Sequence, residues 1–198
     1  MKIISLKIII LLTLSGIFNL SNAQTTPNNS KYILGFIPSK ASNIYGLAIG
    51  PIGSESLCNV EYTRKSHGLN IQLPGQGVFL VFFGFSDKII QSTDDSIQKI
   101  KTIHNGLLIS ILGTTADIIN GVNISSFMSA GKKMNGFSFN IFWNAYYKIN
   151  GICVGIVNTS FRLNGLQIGL LNKSTKVNGL QIGLLNKNEK RILPFINW

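Results

Sequence analysis

The chain has 198 residues, 45% of them hydrophobic, a formal net charge of +11 and two cysteines. Its cations are scattered through short polar connectors rather than gathered in a dense run interleaved with aromatics, which argues against nucleic acid as a partner. The cysteines have no His or acid cluster beside them, so zinc is not expected, and no cofactor is implied.

Residues 1–23 read as a secretory signal peptide. Lys2 and Lys7 give a basic start, Ile8 to Leu14 is apolar, and Ser21-Asn22-Ala23 places small residues at the cleavage site. Cleavage there would leave a mature chain from Gln24, about the length of one domain. The expected location is therefore outside the cytoplasm: periplasm, outer membrane or cell surface. Residues 24–42 form a polar leader followed by a first strand over Lys31 to Ile37, stopped by Pro38.

Residues 43–198 carry a repeat. Eight times an Asn, His or Tyr followed by Gly opens an alternating segment, as in Tyr45-Gly46-Leu47-Ala48-Ile49, Asn105-Gly106-Leu107-Leu108-Ile109 and Asn178-Gly179-Leu180-Gln181-Ile182. The glycines step by 22, 38, 15, 15, 15, 14 and 14 residues, so the two long steps mark insertions at 54–66 and 76–104. The second insertion holds an apolar run, Val78 to Phe85, and the spacing allows a short helix over Asp94 to Thr102. A fixed period means an array of like units.

Within a unit the period is two, which is a strand signal. Leu180, Ile182 and Leu184 share one face, and Gln181, Gly183 and Leu185 share the other. The aliphatic face is expected to be the dry one. Three aliphatics cannot offset the ordering of nine residues, so units must stack to share that face.

The fold expected is all-β, an antiparallel meander curling into a barrel-like or twisted sheet. Lys173 to Lys176, Ala130 to Lys133 and Ala145 to Lys148 would be its turns. Folding about Thr175 then sets Ile168 opposite Ile182. A parallel β-solenoid is the alternative, stacking Asn164 on Asn178 and Gly165 on Gly179. A membrane barrel is a third option, although the aliphatic stripe spans about 13 Å where an outer-membrane band needs about 25 Å.

Candidate chemistry is sparse, and no catalytic residue is assigned. His67 fills the slot that Asn takes in later units, and His104 directly precedes Asn105-Gly106, so both read as repeat-boundary residues. Ser66, His67 and Glu61 could be drawn as a triad, but no Gly-x-Ser-x-Gly elbow frames the serine. Asp94-Asp95 could hold a cation, though adjacent loop acids are usually solvated. Cys58 and Cys153 could pair in an oxidising compartment. Gln167 and Gln181, with Gly169 and Gly183, could form a flat polar surface for a glycan or an envelope protein. Equally, they could be residues that let a sheet curve.

The units Asn150 to Asn158, Asn164 to Asn172 and Asn178 to Asn186, and the ending Lys187 to Trp198, resemble uncharacterised bacterial surface-repeat proteins with Gly-Leu-Gln-Ile-Gly-Leu-x-Asn units. The resemblance implies export and a repeat β architecture, and brings no catalytic residues. The expected function is an exported, non-enzymatic envelope protein for structure or interaction, with membrane association possible. The alternatives are a small ligand-binding protein or hydrolase sited in the two insertions, and a small outer-membrane barrel.

Overall fold

A computed structural model of the chain describes residues 29–54, 62–77 and 100–198. The signal peptide, Cys58, Glu61, Asp94-Asp95 and the 78–85 run lie outside the described residues, as does nearly all of the 94–102 helix.

Among the described residues, ten strands form one sheet in sequential order. They are β1 (Ser30–Phe36), β2 (Asn43–Gly50), β3 (Arg64–Gln72), β4 (Thr102–Ser110), β5 (Ile118–Ser125), β6 (Met128–Asn140), β7 (Trp143–Val154), β8 (Val157–Ile168), β9 (Leu171–Lys187) and β10 (Ile192–Asn197). β1 to β9 are parallel neighbours, and β10 alone returns antiparallel on β9. The chain is a β-solenoid, which corrects the meander. A transmembrane barrel is a closed antiparallel sheet, whereas β1 to β9 run parallel here and β10 does not pair with β1. The expected turns are strand instead: Lys173 to Lys176 lie within β9, where Ser174 is buried, and Ala145 to Lys148 lie within β7, where Tyr146 is buried. Each of these segments continues the wall of its own coil.

Parallel stacking is selected by ladders that an antiparallel pairing would break. Gly46, Gly68, Gly106, Gly121, Gly136, Gly151, Gly165 and Gly179 stand in one column, coil upon coil. All eight have positive φ, from 100° to 159°. A Cβ on Gly68 would sit 2.5 Å from the carbonyl oxygen of Gly46, and the later coils are tighter still. Gly is required there by backbone angle and by space together. Beside this column runs an asparagine ladder. Asn120 Nδ2 donates to Asn105 Oδ1 at 2.7 Å, Asn135 to Asn120 at 2.6 Å, Asn150 to Asn135 at 2.6 Å and Asn164 to Asn150 at 2.9 Å. The column continues N-terminally as stacked rings: Tyr32 on Tyr45 at 5.4 Å and Tyr45 on His67 at 4.7 Å. β1 is thus a further copy, with Ile33 in the glycine slot.

The expectation of a dry aliphatic face is reversed. Gln167 and Gln181 are fully buried, while Ile168 and Ile182 are each 37% exposed. The interior has two halves. One is an apolar spine from the residue two before each glycine: Ile119, Met134, Ile149 and Leu163, with Val177 packed against it. The other is amide and hydroxyl. Gln181 Nε2 donates to Gln167 Oε1 at 2.9 Å, and Ser174 Oγ donates to the same oxygen at 3.0 Å. At the far corner Asn144, Asn158, Asn172 and Asn186 are linked in sequence at 2.8 Å each. Three of these also bond the main-chain carbonyls of Val154, Ile168 and Ile182. In the C-terminal coils a narrow interior can bury these amides because Gln167, Gln181 and the Asn144 to Asn186 series find partners one coil away, and those bonds offset the desolvation cost.

Candidate functional site

The reversal leaves three columns on the outside that are aliphatic or Phe apart from Pro51 and Ser126. The residues one, three and five after each glycine face outward, for instance Ile152, Val154 and Ile156, and Leu180, Ile182 and Leu184. Over β2 to β9 they make a wall of about 34 Å along the axis and about 13 Å across, from strand spacing and rise. The wall is dished. An open concavity of about 750 Å³ runs from Phe139 and Ile141 to Ile182 and Leu184, with Phe195 and Ile196 of β10 at its end. Contiguous apolar surface of this kind on a folded chain usually marks an interaction site.

Outside the wall, past the asparagine ladder, the residue three before each glycine forms another column. Lys133, Lys148, Arg162 and Lys176 stand directly above one another. Cations scattered in sequence are thereby brought into one row at the strand spacing of about 4.8 Å. Phe161 takes part of the load, with Arg162 and Lys176 at 6.0 and 5.9 Å from its ring centre. Among the described residues the carboxylates are Asp117 and Glu189, and Asp117 is engaged by Lys132 at 3.2 Å and by the Lys101 and Thr102 amides.

Of the residues singled out in the sequence, the structure brings Ser66 and His104 together and separates both from His67. Ser66 Oγ lies 2.5 Å from His104 Nδ1, and Asn70 Nδ2 bonds both, at 3.2 and 3.1 Å. The group is buried with Arg64 and Thr102, and the space between them is about 10 Å³, room for one water at most. His67 stands outside in the ring stack and accepts from Asn105 at 3.3 Å. Ser66 and His104 are a polar plug in the spine column, where later coils place Ile, Met and Leu.

Cys153 is a free, fully buried thiol in the slot of Gln167. Burial pushes it well above the usual thiol range. Burial, and then the neighbouring Cys153, likewise raise the Tyr146 phenol. The polar surface expected from Gln167 and Gln181 does not exist, because both amides point into the coil. Among the described residues, no group of three His, Cys, Asp or Glu could hold a metal ion.

Sequence reasoning missed the wall as a surface and the basic row. Their signal was present, since Lys148, Arg162 and Lys176 each precede the glycine by three. Compared with protein-family models, curated proteins and solved structures, the chain has no match.

Proposed function

We propose that this protein is an exported, non-catalytic interaction module of the cell envelope whose working surface is the apolar wall. The observation that carries the reading is the inversion of the coil. Aliphatic side chains stand outward in register from β2 to β9, while amides that could have faced water are spent on one another inside. A free-standing protein has no use for that arrangement, and a docking surface does. The basic, apolar start of the chain and the resemblance of its last units to surface-repeat proteins support the envelope as the place of work.

Among the described residues, the polar side chains singled out for chemistry support this reading rather than a hydrolase. Ser66 and His104 are enclosed with no room for a substrate, and His67 is held in a ring stack. The test is fractionation of cells making the full chain, followed by protease treatment of intact cells. Recovery in the envelope, with an N-terminus near Gln24, is the expected result. A chain retained in the cytoplasm with residues 1–23 intact would overturn the assignment.

A further inference from the structure

We propose that the wall docks on an anionic lipid surface, its aliphatic columns entering the headgroup boundary while the basic row meets the phosphates. The proposal rests on the reading of the wall as a docking surface and names its partner.

Charge complementarity selects the occupant. The row of Lys133, Lys148, Arg162 and Lys176 runs parallel to the wall's long axis. It is four residues along each strand from the first aliphatic column, a distance of about 13 Å. Four cations in register repel one another, and among the described residues none of the four forms an ion pair, Asp117 being engaged by Lys132. An anionic surface relieves that repulsion. A second copy of the chain does not, because a face-to-face pair would bring cation-bearing rims together with Asp117 already engaged. A neutral apolar partner would leave the row unused.

Geometry agrees. An interfacial element buries its apolar face by about 5–10 Å and needs cations at its margin rather than a closed pocket. The wall is open, shallow and lined from Phe139 to Leu184 by carbon alone on its side chains. The asparagine ladder between wall and row supplies exposed amides at the depth of the headgroups, with Asn164 and Asn178 both exposed. Each cation near an anionic membrane contributes about five-fold in partition.

The experiment is flotation of the full chain with vesicles of phosphatidylcholine alone or with one quarter phosphatidylglycerol, in low salt and in 1 M salt. Residues 1–23 are then common to every arm. Two variants accompany it. One replaces the wall (Phe139→Thr, Ile168→Thr, Ile182→Thr), and the other the row (Lys148→Gln, Arg162→Gln, Lys176→Gln). All substituted side chains are outward-facing, and circular dichroism checks the fold. The wall variant should lose at least about ten-fold in partition. The row variant, which keeps Lys133, should discriminate less between the two vesicle types and show a weaker salt dependence than the parent. Equal flotation of the wall variant and the parent, or no flotation of the parent, overturns the proposal. Sedimentation of the same samples without vesicles separates the two levels of failure. A parent dimer that the wall variant dissociates keeps the wall as a docking surface and replaces lipid by a second copy. A monomer indifferent to lipid and to the wall substitutions sinks both.

Discussion

At the scale of single residues, glycine and the interior amides carry the fold, and the outer aliphatics carry little of it. Gly165 combines φ of +141° with a Cβ direction that ends on the carbonyl of Gly151. Gly165→Ala should therefore cost at least about 2 kcal/mol, since left-handed strain and a backbone collision add. Ile168→Ala, on the half-exposed wall, should cost under about 1 kcal/mol. Urea unfolding of the two variants checks the order, and a larger loss for Ile168 would contradict it. The sequence marked Asn-Gly as a special position through its recurrence alone. It could not say that the glycine faces a carbonyl one coil away, because that contact exists only after stacking. Interior ionisable groups add a pH dependence. Cys153 and Tyr146 have ordinary values of 9.0 and 10.0, and burial raises both in the folded chain. The unfolded chain then loses these protons first. Their contribution is complete below pH 9 and falls as pH climbs, by about 1.4 kcal/mol per pH unit for each group. Urea midpoints should drop between pH 9 and 11, and Cys153→Ala should flatten the first part of that fall.

At the scale of strands, the two ends of the stack differ from its middle. At one end β10 runs antiparallel, with Pro194 removing a donor from the outer edge. Asn197 is fully buried and closes the glutamine ladder by donating to Gln181 Oε1 at 3.0 Å. Ending the chain before Ile192 should uncover both the edge of β9 and that ladder. Such a chain is expected to leave a size-exclusion column as oligomers where the parent elutes as a discrete species. At the other end Ile33 occupies the glycine slot of β1 with φ of +71°, an unusual conformation for a β-branched residue. Ile33→Gly should relieve it and raise the urea midpoint, since the Ile33 side chain is itself exposed, and a lowered midpoint would contradict this. β1 was legible as a strand over Lys31 to Ile37, but not as a repeat, since a search keyed on glycine passes over Ile33. The opposition of Ile168 and Ile182 was also legible. It holds in the parallel stack as it would have in a hairpin, which is why that pairing could not choose between the two.

At the scale of the whole molecule, the period was legible and the inside was not. Alternation by two says that a strand has two faces, not which of them is enclosed. The usual rule assigns water to the polar face. It fails here because the coil is narrow and the last coils repeat every 14 residues, so Gln167 meets Gln181, Ser160 meets Ser174 and Asn158 meets Asn172 at bonding distance. The apolar spine, Ile119 to Leu163, sits in a slot just before Asn-Gly, outside the alternating segment that defined the repeat.

The direct test of this inside-out arrangement is thiol reactivity at adjacent positions of one strand. In a Cys58→Ser background, Gln167→Cys and Ile168→Cys each add one thiol, the first in the slot that Cys153 already fills on the previous coil. Alkylation of the native protein should modify Cys at 168 within minutes and leave position 167 and Cys153 protected until the chain is unfolded. Protection at 168 with rapid labelling at 167 would mean that the aliphatic face is the buried one.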